Sequence, residues 1–307
     1  MRRTCLSMIE EMAAHDDRVV FIGSDITKRE LVTFQTNHPD RFFMEGVQEQ
    51  HIIGMAAGLA MSGKIPFINT IASFLTRRCY EQLLVDLGVH NQPVRLIGSG
   101  GGTVYAPLGV THIANEDIAI LSAIPNMTII AVCDAQEMKQ LMPLTLDWPH
   151  PIYIRLAKGG DKVVSNPDNP FEIGKATSMR EGKDVLFIST GITTALAIDA
   201  SETLSKQGYE VSVLHIHTIK PLDIEQITRF ANNSSIIVTI EEHRKSGGLG
   251  SSVAETLLEK SIFKPFKRIG FPDVFTEEHG SQTEIMNKYG ITAQNAVSVA
   301  LELLSKI

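Results

Sequence analysis

The chain has 307 residues, 43% apolar and 21% charged, with a formal charge of −7, and a length of that order ordinarily holds two domains with a sizeable core in each. No run of about 18 apolar residues occurs, which argues against a membrane span, and the acidic balance opposes a nucleic-acid role, since phosphate affinity needs clustered Lys and Arg. The opening MRRTCLSMIEEMAAHDD turns acidic without an uninterrupted apolar stretch and does not read as a signal peptide. Cys5, Cys79 and Cys133 are widely spaced, form neither a metal pattern nor an even disulfide set, and read as buried thiols of a cytoplasmic protein.

In chain order, helices alternate with short apolar strands. Helix 4–14 leads to strand 19–23. A short apolar strand after Arg41 turns at Gly46 into a helix over 52–61, whose apolar residues cover every side and predict burial all round. Gly54 and Gly58 in it, each costing roughly 1 kcal/mol of helix propensity, leave a surface for close backbone packing. Strand 66–71, helix 76–87, strand 94–99, helix 115–122, strand 128–132, helix 135–146 and strand 152–156 follow. That alternation predicts a doubly wound α/β domain with a mainly parallel sheet over 1–160. Periodicity fades into Gly, Pro, Asn and charge over 161–182, the expected linker. A second alternation of strands (185–189, 210–215, 236–240 and one near 268–270) and helices (194–206, 223–232, 249–259, 293–305) predicts a second α/β domain over 183–307.

Glu49, Gln50 and His51 stand in the first turn of the buried helix. A carboxylate entering a buried helix needs a partner or a proton: burial raises its pKa while the helix N-terminus pulls the other way. By itself Glu49 reads equally as a first-turn residue chosen for the helix dipole. The run EGVQEQHIIGMAAGLA, however, resembles the thiamine-diphosphate enzymes of the transketolase and 1-deoxyxylulose-5-phosphate synthase group, whose pyrimidine-binding domain carries a GVxEQH-like motif. The resemblance covers essentially the whole chain and implies that Glu49 meets the aminopyrimidine of thiamine diphosphate, where a carboxyl on the ring nitrogen favours the imino tautomer that activates thiazolium C2.

Further carry-overs follow. The stretch SFLTRRCYEQ is similar to the group's xSFLxRxYDQ-like segment, so Phe74, which unaided reads as a core staple at a helix entrance, is expected to pack on the aminopyrimidine. Stacking of that kind is worth about 0.5–1.5 kcal/mol beyond buried area. Asp25, just past the first strand, is carried over as a third cofactor contact. The segment LGVTHIANED looks like the group's DGxTHQ motif and implies that His112 points at substrate as a hydrogen-bonding or catalytic imidazole; the plain alternative is that His112 caps the helix beginning near Asn115. Arg155 ends a strand, where ligands of parallel sheets bind, and the resemblance implies that its guanidinium grips a sugar phosphate. Arg77 and Arg3 match phosphate-contacting arginines of two different branches, and Arg78 reads as solvated surface charge. The GSGGGT and GGLGS runs are weak phosphate signals, better read as turns.

Departures from the group are Leu108, in place of an Asp that binds a sugar hydroxyl, and Gly100, in place of a His; both bear on which hydroxyls are recognised. The diphosphate-binding domain, with its GDG motif and the ligands for Mg²⁺ or Ca²⁺, has no counterpart in the sequence, and no metal ligands are expected here. The expectation is therefore the C-terminal subunit of a split transketolase. It would move a two-carbon ketol unit from a ketose to an aldose, with phosphorylated sugars as substrates, and would work with a separate N-terminal diphosphate-binding subunit in a heterotetramer with a homodimeric core. A pyruvate-using synthase of the deoxyxylulose-phosphate type, a 2-oxo acid dehydrogenase beta subunit and a cofactor-free scaffolding subunit are the alternatives.

Overall fold

A computed structural model describes every residue except 28, 29, 158 and 278. The predicted alternation is realised as two mainly parallel sheets. Strands β1 (Val19–Gly23), β2 (Phe42–Met44), β3 (Ile65–Ile71), β4 (Arg95–Ser99), β5 (Thr128–Ile130) and β6 (Ile152–Leu156) build the first. The second holds β7 (Thr177–Arg180), β8 (Val185–Ser189), β9 (Val211–His215), β11 (Ile236–Arg244) and β12 (Phe266–Phe271), while β10 (Thr218–Lys220) leaves it to join the first. Strand orders are β10-β5-β6-β4-β3-β1-β2 and β12-β11-β8-β9-β7. Only β10, against β5, and β7, against β9, run antiparallel among these pairings.

Most central strands are buried along their whole length, as β1, β4, β6, β8 and β9 show, because helices cover both faces of each sheet. Phe21, Phe34, Phe67 and Leu141 pack on one side of the first sheet, and Ile22, Ile52, Ile68 and Leu96 on the other. Two further clusters, around Phe187 and Leu186, flank the second sheet.

Strand β1 lies between β2 and β3, so the chain leaves β1 on one side and returns on the other. A crevice opens at the carboxyl ends of strands where the order reverses in this way, and ligands of open α/β sheets bind there. Ser24 and Asp25 follow β1, the helix Glu49–Met61 follows β2, and Phe74 follows β3.

Several expectations need correction. The helix Glu49–Met61 buries Glu49, Ile52, Ile53, Ala56, Ala57 and Ala60, but Gly54 and Gly58 face outward. A Cβ at Gly58 would meet nothing within 4 Å, and at Gly54 only Asp86 Oδ2 at 3.8 Å, so among the described residues no backbone packs closely on that face. The predicted helix over 76–87 is instead two π-helical turns, Phe74–Arg78 and Leu83–Val89, around the short α-helix Tyr80–Gln82. Strand β7 falls inside the stretch expected as linker, and β10 has no counterpart among the expected strands.

Candidate functional site

Glu49 is the first residue of its helix and is 1% exposed. Its Oε1 accepts from the Thr70 hydroxyl at 3.4 Å, at the end of β3. Thr70 Oγ1 lies 2.8 Å from Ser24 Oγ, and the Ser24 hydroxyl donates to Asp25 Oδ1 at 3.0 Å. Asp25 is thus two hydroxyls removed from the buried carboxylate and itself exposed. Glu49 Oε2 receives a shorter bond, 2.6 Å, from Arg78 Nη1. A charge-assisted bond of that length is the dominant partner of the carboxylate.

Phe74 and Arg78 are the first and last residues of one π-helical turn. Residues four apart on a helix share a face, and the Arg78 guanidinium carbon sits 4.4 Å from the centre of the Phe74 ring. His112 approaches the same ring edge-on, with centroids 4.9 Å apart. It belongs to the 3-10 turn Val110–His112 and pairs its Nδ1 with Thr111 Oγ1 at 2.9 Å. The following helix starts at Asp117 with Glu116 as its N-cap and no side-chain cap, so the capping alternative for His112 does not hold. Arg77 Nη2 donates to the carbonyls of Thr111 at 2.8 Å and Ile113 at 3.2 Å, and its Nε pairs with Glu116. It fastens the His112 turn beside Phe74. Ser73, Phe74, Arg77, Arg78 and Thr111 line a depression of about 320 Å³.

Of the residues singled out in the sequence, Glu49, Phe74, His112 and Arg77 come together. Arg155 does not join them as a free cation. It is 8% exposed, its Nε donates to Asp117 Oδ2 at 2.7 Å, and its Nη2 donates to the carbonyls of Ala114 at 3.1 Å and Glu242 at 2.9 Å. Burial alone would lower its pKa, but the Asp117 and Glu242 carboxylates outweigh that and raise it. The phosphate grip expected of Arg155 is thus replaced by an internal ion pair tying the first sheet to β11. Arg3 lines another depression, with Glu10, Glu11, Glu30 and His38, that shares no residue with the one at Phe74.

The GSGGGT run is no phosphate cradle in this fold. Gly100 and Gly101 donate to the Leu156 carbonyl, Gly102 to that of Ala114, and Thr103 N–H to Glu242 Oε1 at 2.7 Å. A Cβ on Gly102, whose φ is +68°, would stand 2.3 Å from the Glu242 carboxyl carbon. Gly100, Gly101 and Gly102 each give room to a different side chain: Tyr105 at Gly100, Arg155 at Gly101 and, at Gly102, the Glu242 carboxylate inserted by β11. Likewise the N–H groups of Leu249 and Gly250, at the start of the helix that opens within GGLGS, are taken by Glu241. Among the described residues, the one trio spaced to hold an ion is Cys133, Glu137 and His215. It is buried between the domains, where Glu137 Oε2 already accepts from Cys133 N at 2.6 Å and meets His215 Nε2 at 3.0 Å.

Arg78 is the functional-looking residue that the sequence reading missed. Its partner Glu49 is 29 positions away. The available signal was its place four residues after Phe74 in a segment already suspected of touching cofactor.

Residues 1–160 match the model of the transketolase pyrimidine-binding domain and residues 174–296 that of the transketolase C-terminal domain. The chain belongs to the transketolase family. Its similarity to one of the subunits of the apulose-4-phosphate transketolase of Phocaeicola vulgatus is 36% identity over 99% of this chain and 97% of that one. A 6-deoxy-6-sulfo-D-fructose transketolase subunit of Clostridium sp. is also 36% identical, over 100% of this chain and 95% of its own length. A solved "split gene transketolase, inactive beta4 tetramer" superposes with a TM-score of 0.91 at 33% identity, covering 99% of this chain and 98% of that chain. This transketolase chain therefore has the span of subunits of divided transketolases. It is also 34% identical, over 96% of its own length, to 47% of the 1-deoxy-D-xylulose-5-phosphate synthase of Caldanaerobacter subterraneus.

Proposed function

We propose that this chain supplies the aminopyrimidine-binding half of a thiamine-diphosphate-dependent ketol transferase, and that a separate polypeptide holds the cofactor's diphosphate and its Mg²⁺ or Ca²⁺. The observation that carries this reading is a carboxylate 1% exposed, Glu49, whose better-bonded oxygen is reached by a flat N–H donor that also spans the Phe74 ring. An aminopyrimidine is likewise flat and bears nitrogen groups on its edge, so the pair fits that half of the cofactor. Such a cofactor, once bound, supplies a carbon nucleophile for ketose cleavage and transfer.

The chain's own residues have separable roles. Glu49 exchanges a proton with the ring nitrogen, and the Thr70, Ser24, Asp25 row orients its second oxygen. Phe74 gives the ring an apolar face. His112, held beside Phe74 by Thr111 and by the Arg77 clamp, hydrogen-bonds a substrate hydroxyl or developing alkoxide. The relatives act, by their names, on apulose 4-phosphate and on 6-deoxy-6-sulfo-D-fructose. We therefore propose a ketose donor with an anionic terminus, delivered to an aldose acceptor. Leu108, 57% exposed, lies where such a substrate would otherwise meet a carboxylate. The outward face of the Glu49–Met61 helix, with bare Gly54 and Gly58, suits close approach of another chain. The assembly proposed is a heterotetramer built on a dimer of this chain.

The test is reconstitution with the diphosphate-binding partner. The chain alone should show no turnover, and the assembled pair should convert one or more of a panel of ketose phosphates and sulfonates, with products identified by mass. Conversion of pyruvate instead would favour the synthase reading. In the assembled pair, Glu49→Gln should slow C2–H/D exchange of the cofactor by about 10²–10⁴-fold, the range of general acid–base catalysis. Unchanged exchange in a folded, cofactor-loaded variant would return Glu49 to a first-turn helix residue.

A further inference from the structure

The Arg78 side chain is in an unusual position for a residue that is 42% exposed. It has water available, yet its Nη1 reaches inward to the nearly inaccessible Glu49 Oε2 at 2.6 Å, and its guanidinium carbon lies 4.4 Å over Phe74. One planar cation thereby covers both surfaces that the proposed reading assigns to the aminopyrimidine, the acceptor and the ring. Among the described residues the other Glu49 oxygen has the 3.4 Å bond from Thr70 alone, so the stronger acceptor position is the one Arg78 holds. The Arg78 backbone is fixed independently, its carbonyl accepting from Gln50 Nε2 at 3.1 Å. The side chain can therefore swing out while the turn stays in place.

We propose that Arg78 is a gate on the cofactor site, occupying the aminopyrimidine seat in the free chain and leaving it when the cofactor enters. This rests on the reading of Glu49 and Phe74 given above. Physically, the guanidinium satisfies a buried carboxylate that would otherwise be uncompensated before assembly, which would be costly. It does so with interactions weak enough to be exchanged, a half-exposed ion pair and a cation–π contact. The incoming ring replaces both contacts, and the released guanidinium returns to water.

The gate makes a prediction that a purely structural ion pair does not. The probe is 4-amino-5-hydroxymethyl-2-methylpyrimidine, the ring half of the cofactor without charge or diphosphate, titrated at pH 8 into the isolated chain by saturation-transfer NMR. Arg78→Ala should bind it about tenfold more tightly than the natural chain, the change that about 1.4 kcal/mol produces. Added salt should tighten binding to the natural chain, because it screens the competing ion pair, and should leave the variant unaffected. Circular dichroism verifies that the variant is folded. Equal or weaker binding by Arg78→Ala, undetectable binding included, overturns the gate. Failure of the underlying reading shows separately, as unchanged cofactor exchange in the assembled Glu49→Gln pair. If Glu49→Gln slows exchange while Arg78→Ala binds the probe no better, the site stands and only the gate is lost.

Discussion

Replacing Arg155 by Ala separates two roles that predict different outcomes. In the structure the guanidinium makes one charge-assisted bond to Asp117 and two bonds to the carbonyls of Ala114 and Glu242. Its removal leaves Asp117, fully buried, with the Tyr153 hydroxyl at 2.8 Å as its remaining hydrogen bond, and its Oδ1 already lacks a hydrogen-bond partner among the described residues. Breaking one side of a buried pair costs about 3–5 kcal/mol, and at roughly 2–4 °C per kcal/mol for domains of this order that lowers Tm by on the order of 10 °C. Thermal unfolding followed by circular dichroism measures it. The double variant Arg155→Met with Asp117→Asn removes both charges and should recover a large part of the loss, as neutral replacement of buried pairs does. A Tm within about 2 °C of the natural chain, combined with a raised KM for phosphorylated sugars in the reconstituted pair, would refute the internal role and restore Arg155 as a substrate grip.

Two other perturbations test the contact between the domains. Gly102→Ala forces a left-handed φ of +68° on a residue with a Cβ aimed at Glu242; it should destabilise by about 2 kcal/mol or more, and a urea midpoint unchanged from the natural chain would show that the Glu242 insertion is not fixed. Burial lowers His217 and His243 from 6.5 to about 4, so unfolding takes up protons below about pH 6.5 and stability falls on acidification toward about pH 4. Glu241 opposes them: burial, only partly offset by the Gly250 and Leu249 N–H groups, lifts its carboxyl from 4.5 to about 7, so its contribution to stability is lost as pH rises through that window. Burial raises the Glu242, Glu116 and Asp161 carboxyls as well, which also oppose the imidazoles, so the test is a difference between variants. On acidification from about pH 6.5 to 4.5 the urea midpoint of His217→Asn should lose less, or gain more, than that of the natural chain, and an equal change would remove His217 from the account.

The sequence patterns reported the fold where burial is two-sided and failed where it is not. Strands such as β1 and β8 are nearly continuous apolar runs because both faces are covered. Strand β7 is a partly exposed edge of mixed polarity, and β10 is only three residues long, so neither leaves a periodic trace. The helix Glu49–Met61 read as buried all round because Gly and Ala count as apolar whether or not anything packs on them. At the site, Glu49 and Phe74 were legible only through a motif. The internal partners of Arg155 were not legible, because a strand-end arginine looks the same from sequence whether it faces ligand or, as here, pairs with Asp117 38 residues and Glu242 87 residues away. Arg78 was hidden because its partner Glu49 stands 29 positions away in the sequence.

The way the two halves are joined determines where the site is open. Strand β10 of the second half closes the edge of the first sheet beside β5. The end of β9 meets Glu137 through His215, and the end of β11 fills the glycine loop after β4 with Glu242 while its carbonyl holds Arg155 at the end of β6. Among the described residues, the Gly100, Gly101, Gly102 and Thr103 N–H groups after β4 and Nε and Nη2 of Arg155 in β6 are thereby engaged by the chain's own polar groups. At the ends of β1 and β3 the second half contributes none of these contacts, and the exposed Asp25 and half-buried Phe74 lie near a buried carboxylate capped by the Arg78 guanidinium. A cofactor with a flat ring at one end and a diphosphate at the other can place its ring in that opening. On the reading proposed above, its charged end would be held by a second polypeptide.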